Sequence, residues 1–158
     1  NIPSRTGVNI NPETIFEISR FKNVVGIKEA SGDLQQISEI ARICDKNFSI
    51  LSGDDVLTLP IMSVGGDGVI SVASNIIPNE ISNMCFWFEK GDIKKAIEIH
   101  KRYFRFIKSM FIETNPIPIK YILKKKGIIK NDKPRLPLLR ISDNAAKIID
   151  KIIKEISI

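Results

Sequence analysis

Short strand patterns alternate with helix patterns over the first part of this chain, and helix patterns alone follow. Apolar strand-like runs lie at Val24–Ala30, Phe48–Gly53 and Val69–Ala73, and each is followed by an amphipathic segment. Strands that alternate with helices at this short period are typical of parallel βα units. We therefore predict an α/β fold, with βα units over residues 1–91 and a helical domain over residues 92–158.

Capping signals mark several helix ends in these patterns. Asn11 precedes a proline, which is the order expected of an N-cap and a first helical residue. Asp33 stands three residues before Gln36, as in a capping box. Gly127 follows three lysines, which is typical of a helix C-terminus, where cations complement the helix dipole. Residues 1–10 contain proline and glycine, and we predict a loop there.

The number of strands limits the architecture. A closed (β/α)8 barrel needs about 250 residues, and this chain of 158 residues supplies three visible strands. A three-stranded parallel sheet alone would leave its edges open and one face bare. The pattern therefore predicts the second half of a larger barrel.

Charge, hydropathy and cysteine content exclude several classes of partner. The net charge of +6 could suggest nucleic acid, but the basic residues are scattered over predicted helix surfaces, and the cluster Lys124–Lys126 is explained by the helix end. We predict no nucleic-acid partner. No apolar run approaches the ~20 residues of a membrane span. Cys44 and Cys85 lie in helical apolar patterns without CxxC spacing, which predicts free thiols and a reducing cytoplasm.

Lys28 interrupts an otherwise apolar strand, in the run Val24–Ser31. An ammonium group in a covered strand is costly to desolvate, so fold stability gives no reason for it. A lysine in an apolar pocket is a nucleophilic amine, and the C-terminal ends of parallel barrel strands face the active site. Lys28 is therefore a candidate Schiff-base lysine. The alternative is a strand-end lysine that extends to solvent.

Other polar residues near the strands have simpler explanations. Asp54 and Asp55 could ligate a metal, but no histidine or third carboxylate is spaced to join them, so turn or capping roles are favoured and we predict no metal site. His100, the only histidine, lies on the apolar stripe of a helix and is interpreted as a packing residue. Arg5 follows a would-be strand end, where a guanidinium suits carboxylate binding.

Five segments resemble the dihydrodipicolinate synthase (4-hydroxy-tetrahydrodipicolinate synthase) family in order and spacing. They are Asn1–Gly7, Gly26–Asp33, Leu51–Asp55, Gly68–Val72 and Asn115–Lys120. The glycine-isoleucine-lysine stretch is shared with the wider group of pyruvate-dependent class I aldolases and lyases. The resemblance implies the C-terminal half of a (β/α)8 TIM barrel followed by a helical extension. It also implies a cytoplasmic lyase of lysine and diaminopimelate biosynthesis, usually a homotetramer.

The resemblance assigns roles to four residues. Lys28 matches the lysine that forms an imine with pyruvate. Gly53 lines the pyruvate pocket, and Ile70 contacts pyruvate through its backbone. Arg5 matches the residue that binds the carboxylate of the second substrate, L-aspartate-4-semialdehyde.

The expected chemistry needs no metal or organic cofactor, because the protonated imine on Lys28 is itself the electron sink. Apolar neighbours would favour the neutral, nucleophilic form of the amine. We expect these neighbours to be Val25, Ile27 and Ile70.

The departures from the family are equally specific. The family's proton relay uses a tyrosine and two threonines, with a second tyrosine from across a dimer interface, and none of them has a match here. The relay tyrosine would directly precede Asn1. We therefore expect a C-terminal portion of the enzyme, with little or no turnover unless the N-terminal half of the barrel is supplied. The alternatives are a sibling pyruvate aldolase, similar to N-acetylneuraminate lyase, and a non-catalytic fragment or interaction module.

Overall fold

The computed structural model describes all 158 residues, which form two compact units, Asn1–Ser71 and Val72–Ile158. The first unit contains a three-stranded sheet in the order β1 (Gly26–Glu29), β2 (Ser49–Ser52) and β3 (Gly68–Val69). Both strand pairs are parallel. The predicted parallel βα arrangement is confirmed.

Short helices connect these strands. They are α1 (Pro3–Thr6), α2 (Pro12–Ser19), α3 (Leu34–Ile43), a 3-10 turn (Asp55–Leu57) and α4 (Thr58–Ser63). Helix α1 lies where a loop was predicted. Its proline occupies the first helical position, and Gly7 ends it in the left-handed conformation, with φ of 72°.

The predicted caps of α2 and α3 are confirmed. The side-chain oxygen of Asn11 accepts a hydrogen bond from the backbone N–H of Thr14 (2.9 Å). The Asp33 carboxylate accepts from Gln35 (2.8 Å) and Gln36 (3.1 Å). The reciprocal bond of a capping box does not form, because the Gln36 amide bonds to Asn9 and to the carbonyl of Ile10 instead.

The core of the first unit lies on one face of the sheet. It consists of buried apolar residues from α2, α3, β2 and α4 and from the turn before β2: Ile15, Ile37, Ile40, Phe48, Ile50 and Ile61. Ile27 of β1 packs against this cluster. Since side chains alternate between faces along a strand, Lys28 belongs to the opposite face, together with its register partner Leu51.

The second unit is helical. After a 3-10 turn (Ala73–Asn75) it contains α5 (Pro78–Glu89), α6 (Ile93–Ser109), α7 (Ile117–Lys125) and α8 (Asp143–Ile156). Helix α5 packs on α6, and α6 and α7 each pack on α8. Gly127 follows α7 with φ of 72°, as its sequence predicts. No helix has both the length and the apolarity to cross a membrane.

Two boundaries differ from the sequence analysis. The strand predicted at Val69–Ala73 is confined to Gly68–Val69, and a 3-10 turn follows at Ala73–Asn75. The first compact unit ends at Ser71, whereas the change from βα units to helices alone was predicted after residue 91. The boundary differs because of α5. This helix follows a strand along the chain, but it packs against the turn at Ala73–Asn75 and against α6.

Candidate active site

Lys28 and Gly53 come together at the C-terminal ends of β1 and β2. A Cβ atom at Gly53 would lie 3.0 Å from Cε of Lys28 and 2.6 Å from Cβ of Ala30. Gly53 also donates its backbone N–H to the carbonyl of Glu29 (2.7 Å). The glycine therefore leaves the space that the lysine side chain occupies.

Ile70 directly follows β3 and lies at the C-terminal ends of the same strands. Its backbone N–H donates to the carbonyl of Ser52 (2.9 Å), which places it beside Gly53, one strand further along the sheet. Three of the four predicted site residues, Lys28, Gly53 and Ile70, thus lie at or just after the C-terminal ends of neighbouring strands, where parallel α/β folds place their ligands.

The apolar neighbours of Lys28 differ from those expected. Ile27 packs into the core on the other face of the sheet, because adjacent strand residues point in opposite directions. Val25 precedes β1 and is 74% exposed, and Ile70 is 45% exposed. The apolar side chain paired with the half-buried Lys28 is Leu51 of β2.

Asp54 and Asp55 have separate roles. Asp54 caps the following 3-10 turn by accepting a hydrogen bond from the backbone of Val56 (2.9 Å), as its sequence predicts. Asp55 is fully buried and accepts a hydrogen bond from the hydroxyl of Ser71. This bond links the turn after β2 to the segment after β3. No cluster of three or more histidine, cysteine or acidic side chains is arranged to hold a metal ion.

Glu29 is a buried carboxylate that sequence reasoning missed. It is 0% exposed and accepts hydrogen bonds from the backbone of Ser31 (2.6 Å) and from the side chain of Asn1 (3.0 and 3.3 Å). The signal was present in the sequence, since Glu29 is a second charged residue in the same strand as Lys28.

Arg5 lies in the last turn of α1 and is exposed. Its backbone N–H donates to the carbonyl of Ile2 (2.9 Å). The segment that carries it leaves the sheet beside β1 at Asn1, whose backbone nitrogen donates to the carbonyl of Lys28 (2.8 Å). Arg5 is therefore connected to β1, the strand of Lys28, through residues 1–4 of its own segment.

The remaining candidates have structural explanations. His100, half-buried on α6, packs its ring against Phe104 at 5.7 Å between centroids, which confirms a packing role. Burial lowers the pKa of His100, and its Nδ1 atom has no hydrogen-bond partner. Cys44 and Cys85 are free thiols, as predicted, and burial raises the pKa of Cys85.

Comparison with known proteins assigns the chain to a family. The sequence profile described as "Dihydrodipicolinate synthetase family" matches residues 1–156. The chain belongs to this family. A 4-hydroxy-tetrahydrodipicolinate synthase from Syntrophus aciditrophicus is 46% identical over 154 residues, which cover 98% of this chain and 53% of the relative.

Solved structures of the same family share the fold. The dihydrodipicolinate synthase of Aquifex aeolicus is 40% identical with a TM-score of 0.96, over 99% of this chain and 54% of that one. The chloride-inhibited synthase of Acinetobacter baumannii, solved in complex with pyruvate, is 31% identical with a TM-score of 0.94, over 100% of this chain and 54% of that one. The partial (β/α)8 barrel is therefore confirmed. The chain spans about half the length of these relatives.

Proposed function

We propose that this chain supplies the Schiff-base lysine of a dihydrodipicolinate synthase, which condenses pyruvate with L-aspartate-4-semialdehyde. The observation that carries the proposal is the placement of the Lys28 side chain against Gly53, at the C-terminal strand ends that Ile70 also follows. The similar Acinetobacter baumannii synthase was solved with pyruvate. Because the chain spans about half of its relatives, we assign the covalent step to this chain and the complete reaction to the full-length protein.

The covalent step begins at the Nζ atom of Lys28. The neutral amine attacks the keto carbon of pyruvate, and uptake of one proton with loss of water gives a protonated imine. A methyl proton then leaves, and the electron pair of that C–H bond moves toward the iminium nitrogen to form an enamine. The imine supplies the electron sink, so the proposal includes no metal or organic cofactor.

The second substrate completes the reaction. The enamine carbon attacks the aldehyde carbon of the semialdehyde and forms the new C–C bond, while the C=O π pair moves to the oxygen, which takes up a proton, and the iminium on Lys28 forms again. The amino group of the semialdehyde portion then displaces Lys28 from the imine carbon, which closes the ring and frees the lysine. In this proposal the Arg5 guanidinium holds the semialdehyde carboxylate, a task suited to its planar pair of donors.

Gly53 and Ile70 have passive roles in the proposal. Gly53 keeps the space around the lysine open for a small keto acid. The N–H of Ile70 already donates to Ser52, so its carbonyl oxygen is the backbone group assigned to the ligand. We further propose, from family membership alone, a cytoplasmic homotetramer as the assembled enzyme.

Reductive trapping tests the covalent step. Incubation with pyruvate and borohydride should attach a 1-carboxyethyl group to Lys28 by reduction of the imine, and peptide mass spectrometry should locate it. The exposed Lys22 and Lys46 are internal controls and should stay unmodified. The Lys28→Arg variant, which cannot form an imine, should give no adduct. Absence of an adduct at Lys28, even when the barrel is completed by the first half of a relative, would contradict the assignment.

A further inference from the structure

We propose that Glu29 is a positioning residue, whose carboxylate fixes the segment that carries Arg5. Glu29 lies next to Lys28 on β1 and is fully buried, yet it forms no salt bridge. A buried carboxylate is costly unless hydrogen bonds satisfy it, and an apolar residue would suit the core-facing side of the strand better. The groups that hydrogen-bond to the Glu29 carboxylate therefore indicate its role.

The main partner of Glu29 is Asn1. The backbone of Asn1 donates to the carbonyl of Lys28 and accepts from the N–H of Ala30, each at 2.8 Å, so it extends the sheet beside β1. Its side-chain amide donates to the Glu29 carboxylate (3.0 Å). The same side chain donates to Asn9 (2.7 Å) and accepts from the backbone of Ile10 (3.1 Å).

These bonds hold both ends of one segment. Residues 2–8 leave the sheet at Asn1 and return at Asn9, and Asn9 is bonded in turn to Gln36 of α3 (2.8 Å). Helix α1, which carries Arg5 within this segment, has no buried residue of its own. Apolar packing therefore cannot fix its place, and the polar anchors at its two ends do so.

The consequence for function rests on the role proposed above for Arg5. A guanidinium that binds a carboxylate through two hydrogen bonds must be held within narrow limits of position and angle. Lys28 is also held from the other side, because β1 is hydrogen-bonded to β2 along its whole length. Loss of the Glu29 bonds should therefore affect the group that receives the second substrate more than the nucleophile.

The Glu29→Gln variant tests this role. Its new NH2 group would face the donating amide of Asn1, so one hydrogen bond is replaced by a donor–donor contact. Combining Asn1→Asp with Glu29→Gln reverses the polarity of this bond: the aspartate accepts from the glutamine and from Ile10, but it no longer donates to Asn9, which stays bonded to Gln36. Glu13→Gln, the same change at an exposed position of α2, is the matched control.

Trypsin provides the measurement, because it cuts after Arg5 and after Arg20. Mass spectrometry follows cleavage of the Arg5–Thr6 bond, with the exposed Arg20–Phe21 bond as the internal reference. Glu29→Gln should speed cleavage after Arg5 by about tenfold relative to Arg20, because local opening becomes easier. The double variant should slow this cleavage again, part of the way to the wild-type ratio, and Glu13→Gln should keep the wild-type ratio.

Three results would overturn the positioning role: an unchanged ratio in Glu29→Gln, an equal acceleration at both bonds, or no restoration in the double variant. Equal acceleration would mean general destabilisation. Failure of the proposed function has a different signature. In that case pyruvate would leave no adduct on wild-type Lys28, whatever the cleavage ratio.

Discussion

Gly53 controls the space around the candidate nucleophile. Its φ angle is not in the left-handed region, so backbone freedom does not explain the glycine. The explanation is steric, because an added Cβ would lie 2.6 Å from Ala30 and 3.0 Å from the Lys28 side chain. The first of these contacts would strain the backbone at the ends of β1 and β2, whereas the second would displace the Lys28 side chain.

Gly53→Ala should therefore lower both stability and imine formation. We expect a loss of about 1–3 kcal/mol in the free energy of unfolding, typical of overpacking. Trapping of pyruvate on Lys28 should slow by about tenfold or more, because misplacement of a reacting group by a fraction of an ångström is costly. Urea unfolding and the rate of adduct formation measure the two effects.

Ala30→Gly in the same chain separates these effects. It removes the closer contact, so stability should be largely regained, while the contact with Lys28 remains and trapping stays slow. Full recovery of trapping in the double variant would show that Gly53 acts through strand packing alone.

Lys28 and Glu29 show which residues a sequence can reveal. Lys28 was predicted because a charge in an apolar strand is anomalous at that position itself. Glu29 shows the same anomaly of charge, but its role was missed because its partner Asn1 is 28 residues away and no local pattern records that pairing. The same limit applies to the apolar neighbours of Lys28, since Leu51 comes from another strand and Ile27 faces away.

At the scale of elements, α3 depends on its N-cap. The Asp33 carboxylate accepts hydrogen bonds from two of the first backbone N–H groups of the helix. The helix in turn contributes Ile37 and Ile40, both 0% exposed, to the core below the sheet. Loss of the cap should therefore weaken the packing that supports β1 and β2.

Asp33→Ala should lower the free energy of unfolding by about 1 kcal/mol, the usual cost of removing an N-cap side chain. Asp33→Asn is the matched control, because asparagine caps nearly as well, and it should stay within a few tenths of a kcal/mol of wild type. Urea unfolding followed by circular dichroism gives both values. Equal losses in the two variants would assign the effect to the charge of Asp33 instead of its cap.

Elements with local signals were predicted, and elements fixed by distant contacts were not. The caps at Asn11 and Asp33 and the glycine after α7 follow from neighbouring residues, and all three are observed. Helix α1 has no apolar periodicity, and its place depends on contacts at Asn1 and Asn9. The length of β3 was overestimated, because its residues are apolar beyond the point where pairing with β2 stops.

At the scale of the whole molecule, acid should weaken the second unit in two steps. The carboxylates of Asp92 and Asp150 have lowered pKa values, through hydrogen bonds from Lys95 at Asp92 and, against the opposing effect of burial, from Lys125 and Tyr121 at Asp150. Their contribution to stability is complete above the ordinary carboxyl pKa of 3.8 and is lost as the pH falls below it. A further titratable residue, His100, should affect the stability of this unit at a pH nearer neutrality.

His100 should produce the step nearer neutrality, because burial lowers its pKa below the ordinary value of 6.5. The unfolded chain then binds a proton more readily than the folded one, so stability is complete above about pH 6.5 and falls as the pH drops below it. Urea unfolding at several pH values, followed by the fluorescence of Trp87 in the same unit, measures this slope. The His100→Gln variant should flatten the slope between about pH 5 and 6.5 and keep the carboxylate step below pH 4. Since the chain has no other histidine, an unchanged slope in that variant would contradict the role assigned to His100.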